Sequence, residues 1–151
     1  MSDMKSFIRA CGEHYLQKLK EIDSVSAAEG EWDSGTDTFD ISFKYDEKLT
    51  LLLIIDQDDP SFVRIILPNF YSIDSAHEKR NADDAVSRAN QKCKGVKLYL
   101  NDDRSDTTAA VEFLDPFVDE TYREPGIPKA VLQRYVQMIL SAASFYAQKL
   151  G

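Results

Sequence analysis

Apolar residues recur every three or four positions in three parts of the chain, which is the period of a helix with one buried face. Residues 4–22 form one such stripe, and residues 128–150 form another that begins with a proline, a residue tolerated in the first helical turn. Ser75 and Glu78 match a capping box, so a further helix is predicted to run to about Cys93. Its apolar residues are few and small, which suits close packing on a sheet.

Between these helices the apolar positions alternate with polar ones or form short continuous runs, as they do in strands. Five strands are predicted, at residues 39–45, 49–56, 62–67, 95–101 and 107–114. Pro68 is expected to end the third strand because proline has no N–H group to donate. The polar, aperiodic segments 23–37 and 115–127 are predicted to be loops.

The predicted order is helix, three strands, helix, two strands, helix. Successive strands are joined by short connections, which makes them antiparallel because a parallel crossover needs a dozen or more residues. We therefore expect an α+β fold with helices packed on one face of an antiparallel sheet. With 43% hydrophobic residues, residues 1–151 are expected to form a single domain with a full core.

The strand at 49–56 is unusual because it is apolar on both faces. An antiparallel strand with one wet face normally alternates apolar and polar residues. If Leu51, Leu53 and Ile55 face the helices, then Leu52 and Ile54 face away from them. Ile66, Phe62, Tyr99 and Leu114 are candidates for the same outward face. Several such residues exposed together exceed the apolar patch of an ordinary monomer.

Three explanations for this patch are open. The loops at 23–37 or 115–127 could fold over it, a second copy of the chain could cover it, or a client protein could bind there. The residues expected to form the partner or dimer interface are Leu52, Ile54, Ile66 and Tyr99. Trp32 lies in a predicted acidic loop and is a candidate peripheral anchor, since tryptophan is common at interfaces. Its alternative is to pack back onto the sheet.

The net charge of −8 argues against nucleic acid, whose partners present a basic surface, and against an anionic membrane surface. Basic or amphipathic protein partners are compatible with it. The first residues show no signal-peptide pattern, and no apolar run is long enough to span a bilayer, so a cytoplasmic location is expected. Cys11 and Cys93 fall on helical stripes and are expected to be buried thiols rather than a disulfide.

Candidate chemistry is weak. Asn101, Asp103, Ser105 and Glu112 match ligand positions of a calcium loop, but the position that needs glycine is occupied by Asp106. Cys11 and His14 could touch on one helix, yet a nucleophile and base need a cleft and a third orienting group. Without a phosphate-binding loop or a nucleophile motif, we expect no enzyme activity, no cofactor and no metal site.

Three stretches carry a family resemblance: LLLIIDQDDPSFVRIILPNFYSID, NADDAVSRAN in the polar helix, and KGVKLYL before an acidic turn. With the order of elements, they resemble the YbjN-like family of bacterial sensory transduction regulators, which has a type III secretion chaperone-like fold. The resemblance covers about residues 39–148 and rests on patterns rather than on an active-site signature. It implies a non-catalytic protein that binds other proteins, often as a homodimer.

The sequence thus favours a cytoplasmic, non-catalytic protein-binding module, chaperone-like or regulatory, that forms a homodimer. A client of unknown identity would lie on the apolar sheet face or add a strand to the sheet edge. The alternative is a regulatory domain that senses a small ligand between helix and sheet.

Overall fold

The structure, a computed structural model, describes residues 2–116, 118 and 125–151. Its helices are α1 (Ser2–Lys20), α2 (Ala76–Lys92) and α3 (Lys129–Leu150). Its strands are β1 (Val25–Asp33), β2 (Thr38–Tyr45), β3 (Leu49–Asp56), β4 (Phe62–Ser72), β5 (Lys97–Leu100) and β6 (Asp106–Leu114). The strands form one antiparallel sheet in the order β1-β2-β3-β4-β6-β5. The predicted α+β class is confirmed, but the described residues contain one strand more than predicted.

The additional strand is β1, in a segment that was predicted to be a loop. It pairs with β2 antiparallel, and the register shifts between Ser26 and Glu29. Ala27 lies in this shift with φ of 51°, so a bulge interrupts the alternation of the side chains. The sequence pattern was misleading because the bulge, a glycine and two exposed glutamates leave no regular apolar period in the segment.

The prediction that Pro68 ends the third predicted strand is wrong, because β4 continues through Pro68 to Ser72. Asn69 adopts a left-handed conformation with φ of 49°. Its N–H donates to the Thr108 hydroxyl at 3.2 Å. A side chain thus satisfies the backbone next to the proline, and the strand resumes beyond this irregularity.

The chain forms two compact units. The first comprises Met1–Ile65 and Glu112–Gln133, and the second comprises Ile66–Val111 and Arg134–Gly151. Strands β4 and β6 and helix α3 each pass from one unit into the other along the chain. The single domain expected from the sequence therefore stays a prediction.

In the first unit, α1 covers the inward face of β1, β2 and β3. The predicted stripe of α1 is confirmed for most of its length, since Ile8, Tyr15 and Leu19 are fully buried, whereas Met4 at its start is 40% exposed. Leu51, Leu53 and Ile55 supply the inward side of β3 and are completely buried as well. This dense apolar layer fixes which side chains of the strands point outward.

Phe39 of β2 lies between two glycines. A Cβ atom on Gly12 of α1 would overlap the Phe39 ring, and one on Gly30 of β1 would lie 2.6 Å from it. Carbon atoms that are not bonded do not approach each other this closely, so neither position accommodates a side chain without displacing the ring. The close approach of α1, β1 and β2 therefore depends on these two glycines.

The segment after β6 is held to α1 by a buried carboxylate. Asp115 is completely buried and accepts hydrogen bonds from the Tyr15 hydroxyl at 2.6 Å and from the Gly126 N–H at 2.9 Å. Lys18 donates to the carbonyl oxygens of Pro125 and Ile127, each at 2.8 Å. The described ends of the predicted loop 115–127 thus lie against α1, while residues 117 and 119–124 fall outside the described residues.

In the second unit, the predicted start of α2 is confirmed. Ser75 accepts from the Glu78 N–H at 3.0 Å, and the Glu78 side chain accepts from the N–H of Ser75, which completes the capping box. The Tyr71 hydroxyl also donates to Glu78. This bond is the main reason that the pKa of Glu78 is lowered and that of Tyr71 is raised. Residues 70–72 and the start of α2 are therefore linked by one polar cluster.

Candidate protein-binding face

The outward side of the first unit carries apolar residues in β3. The register pairs Ile54 with Asp40 and Leu52 with Ser42, opposite to the side that holds the buried Leu53. Leu52 and Ile54 are partly exposed, whereas Leu51, Leu53 and Ile55 are completely buried. The prediction that β3 presents apolar side chains on both faces is confirmed by this pattern.

Two larger apolar side chains of the same unit are more exposed. Phe62 at the start of β4 is 49% exposed, and Leu114 at the end of β6 is 50% exposed. The Asp115 N–H donates to the Ser61 carbonyl at 2.7 Å, which brings the two strand ends side by side. Phe62 and Leu114 therefore extend the apolar part of the outward surface. We call the outward side chains of β1, β2 and β3, together with Phe62 and Leu114, the outer face.

The outer face becomes acidic toward β1. Glu31 lies directly opposite Asp40, and Glu29 lies opposite Ser42. The outward positions of β1 and β2 hold four carboxylates and one ammonium group (Glu29, Glu31, Asp33 and Asp40; Lys44). Among the described residues, none of these carboxylates forms an ion pair. The face thus combines an uncompensated negative edge with an apolar centre.

A shallow depression of about 340 Å³ lies where these two parts meet. It is lined by Glu29, Gly30, Glu31, Asp40, Ser42 and Leu52. The Asp40 carboxylate accepts a hydrogen bond from the Thr38 hydroxyl at 2.7 Å, which fixes its position at the rim. The depression therefore offers carboxylate oxygens beside one aliphatic side chain.

The structure brings together only some of the residues predicted for the interface. Leu52 and Ile54 share the outer face of the first unit. Ile66 and Tyr99 belong to the second unit, where Ile66 is partly exposed and Tyr99 is 39% exposed beside its partner Thr108. Leu98, the neighbour of Tyr99, is buried, so Tyr99 points away from the core of its own unit. A role for Ile66 and Tyr99 in partner binding stays a prediction.

Trp32 does not lie in a loop, as was predicted, but in β1. Its partner across the strand pair is Phe39, so it faces the helix side of the sheet, opposite to Leu52 and Ile54. The Lys5 ammonium group lies 5.0 Å from the centre of its ring. Trp32 therefore packs back onto α1 at the sheet edge, and its predicted role as an anchor belongs to that edge rather than to the outer face.

The two segments that could have covered the outer face are accounted for as far as they are described. Residues 25–33 form the edge strand β1 and lie in the sheet, not over it. Asp115, Gly126 and Ile127 are bonded on the α1 side. Neither of these two segments, as far as it is described, therefore lies over Leu52 and Ile54.

The acidic turn between β5 and β6 is closed by its own hydrogen bonds. Asn101 and Asp103 both accept from the N–H of Ser105, at 2.9 and 3.0 Å. The bond from the Ser105 hydroxyl is the main cause of the lowered pKa of Asp103. In the part of the chain that the structure describes, no group of three or more His, Cys, Asp or Glu residues is arranged to hold a metal ion.

The thiol that could have acted as a nucleophile is buried. Burial, and then the nearby Asp115 carboxylate, raise the pKa of Cys11 to about 11. His14 on the same helix is exposed to solvent, whereas Cys11 is 1% exposed. Cys11 and Cys93 are both free thiols. Since the thiolate is the reactive form, Cys11 has the properties of a core residue at neutral pH.

Comparison with known proteins supports the fold alone. No protein-family model and no curated protein matches the chain. Its structure is similar to the crystal structure of an uncharacterized protein from Methanothermobacter thermautotrophicus, with a TM-score of 0.62 and 11% identity. The similarity covers 93% of this chain and 96% of that one. Of the helices in the described residues, none is long and apolar enough to cross a membrane.

Proposed function

We propose that this chain is a non-catalytic protein-binding module, chaperone-like or regulatory, that contacts a protein client through the outer face. The observation that carries the proposal is the orientation of Leu52 and Ile54, which are partly exposed on the side of the sheet opposite α1. Complete burial of each such side chain is worth about 1.5–3 kcal/mol. Because these side chains and those of Phe62 and Leu114 are already partly buried, a partner that covers them would gain part of that energy.

The mode of binding follows from the sheet. An extended client segment can lie across outward side chains, or can pair with the edge of β1, whose strand partner among the described residues is β2. The bulge at Ala27 limits regular pairing along that edge, and bulges commonly protect edge strands. This favours the outer face over the edge as the main contact surface. The resemblance to the YbjN-like family, a cytoplasmic location and a homodimer are parts of the same proposal.

Affinity capture tests the proposal. The chain with a C-terminal tag is used at mild salt to capture partners from its native cell, together with two variants. Ile54→Asp places a charge on the outer face, and Met4→Asp makes the same kind of change at an exposed residue of α1. A stoichiometric partner that is captured by the wild type and by Met4→Asp, but lost with Ile54→Asp, supports the proposal.

Folding is checked by circular dichroism in each variant. A folded Ile54→Asp variant that keeps the partner contradicts the proposal. If Ile54→Asp unfolds, Ile54 is a core residue, and Phe62→Asp then provides the test because Phe62 is 49% exposed. Sedimentation velocity on the same preparations measures whether a second copy occupies the face. A dimer that dissociates with these variants and captures no partner would show that the face serves self-association.

A further inference from the structure

The arrangement of charge on the outer face indicates which kinds of side chain a binding partner would carry. We propose, as an extension that rests on the proposed function, that the face docks an extended protein segment with basic residues at one end and apolar residues beside them. The basic side chains would lie in the depression formed by Glu29, Glu31 and Asp40, and the apolar ones over Leu52, Ile54 and Phe62.

The carboxylates of the outer face are complementary in charge to a basic partner. Glu31 and Asp40 are cross-strand neighbours of like charge, which destabilises a strand pair, and no described cation is paired with either. These two carboxylates and Glu29 line the same depression as the aliphatic side chain of Leu52. An arginine or lysine side chain matches both features, because its methylene stem covers apolar surface while its charged head contacts the carboxylates.

The distance between the acidic edge at β1 and the apolar side chains of β3 sets the spacing of the residues that could contact both. Strands in a sheet lie about 4.8 Å apart, so β1 and β3 are separated by about 10 Å. An extended segment advances by about 3.3 Å per residue, so about three residues span this distance. A basic residue and an apolar residue about three positions apart would therefore contact the acidic edge and the apolar centre at once.

The same charges argue against a second copy on this face. A symmetric dimer contact sets one patch against the same patch of its partner. The carboxylates of β1 and β2 would then approach those of the other copy, in a chain with a net charge of −8. Like charges placed together across an interface suppress that pairing. A basic segment of a different protein would instead bring positive charge to these carboxylates and reduce the repulsion between them.

A designed peptide tests this inference. The probe is a fluorescein-labelled hexapeptide of two arginines, one serine and three isoleucines, and its binding to the full chain is measured by fluorescence anisotropy. One control peptide replaces the arginines by glutamates, and another replaces the isoleucines by serines. We expect the probe to bind, both controls to bind more weakly, and the affinity to fall as sodium chloride is raised, since salt screens exposed charges.

Charge-neutral variants locate the contact. Glu31→Gln combined with Asp40→Asn keeps the shape of the depression and is expected to weaken the probe about tenfold. Glu13→Gln combined with Glu21→Gln removes the same charge from exposed positions on and just after α1 and is expected to leave binding unchanged.

Each other outcome overturns the inference. Failure of the wild type to bind the probe, or equal binding by the double variant on the outer face, removes the predicted docking chemistry. If the serine control binds as tightly as the probe, the isoleucines contribute nothing and the face recognises positive charge alone. In each of these cases the proposed function is judged separately, by whether Ile54→Asp loses the captured native partner. A folded Ile54→Asp variant that keeps its partner would overturn both proposals.

Discussion

Glu31 of β1 faces Asp40 of β2 directly across the strand pair, on the side of the sheet opposite α1. A like-charge pair at this position destabilises a sheet, because opposite residues on one face are close neighbours. The Thr38 hydroxyl bonds to Asp40 but brings no positive charge. The pair therefore lowers the stability of the sheet, but it also provides the negative charge that the proposed basic segment would contact.

This conflict predicts that Glu31→Gln stabilises the fold while it weakens the binding of basic peptides. We expect the free energy of unfolding to rise by about 0.2–1 kcal/mol, measured by urea denaturation at low salt. The gain should shrink at high salt, where exposed charges are screened. Glu13→Gln on α1 makes the same change in net charge and serves as the control. An equal gain in that control would attribute the effect to net charge rather than to the pair.

Gly12 provides a test of the core of the first unit. Replacing an ordinary helical glycine by alanine stabilises a protein, by about 0.4–1 kcal/mol. Here a Cβ atom would overlap the ring of Phe39, so we expect Gly12→Ala to destabilise the fold by about 1–3 kcal/mol, as overpacking does. Urea denaturation measures the change.

The double variant Gly12→Ala with Phe39→Leu separates this overlap from other effects. Leucine has no ring to meet the new Cβ atom, so the cost of Gly12→Ala should be smaller in the Phe39→Leu background than in the wild type. A Gly12→Ala variant that is as stable as the wild type would show that α1 and β2 do not approach as closely as described.

Cys11 predicts a dependence of stability on alkaline pH. Its pKa is about 11 in the folded chain, against a reference value of 9.0, so the folded state holds the thiol proton more tightly than the unfolded state does. The contribution to stability is complete below about pH 9 and is lost as the pH rises toward 11. We expect urea denaturation to show a smaller loss of stability between about pH 8 and 10 in Cys11→Ala than in the wild type.

Alkylation gives an independent reading of the same thiol. In a Cys93→Ala variant, Cys11 should react with iodoacetamide at neutral pH only after unfolding by urea, because it is buried and protonated. Rapid reaction of the folded variant, or an equal loss of stability at high pH in Cys11→Ala, would contradict the buried position of this side chain.

Tyr15 tests the attachment of Asp115 to α1. Tyr15→Phe keeps the ring but removes the hydroxyl that donates to Asp115 at 2.6 Å. Hydrogen bonds to charged groups contribute about 1.5–3 kcal/mol, so a loss of that size is expected in urea denaturation. Tyr99→Phe on β5, a tyrosine that is 39% exposed, is the comparison and should cost less. Equal costs would show that the bond to Asp115 adds nothing specific.

The elements that could be predicted from the sequence are those with regular patterns. The apolar stripe of α1, the alternation from Phe39 to Tyr45 and the capping box of Ser75 with Glu78 each depend on neighbours in the chain, and the structure confirms all three. The doubly apolar β3 also predicted the outward orientation of Leu52 and Ile54, because strand residues alternate between two faces regardless of the partner strands.

The remaining features depend on contacts between distant segments. β1 escaped prediction because the bulge at Ala27 breaks its period, although Gly30 and Trp32 alternate with Glu29 and Glu31 beyond it. That short alternation was the available signal. Where β4 continues past Pro68, the Asn69 N–H donates to the Thr108 hydroxyl, a contact that no local pattern reveals. The acidic part of the outer face was missed for the same reason, since it requires β1 to lie beside β2.

The central claim is that the outer face, and not the helix side, receives a basic and apolar segment. Methyl-resolved NMR tests it most directly, by titrating the chain with the arginine–isoleucine peptide and following individual side chains. We predict progressive shifts at the methyl groups of Leu52 and Ile54, with those of Ile8 and Leu19 on α1 unchanged. Shifts confined to α1, with Leu52 and Ile54 unmoved at saturation, would contradict the account.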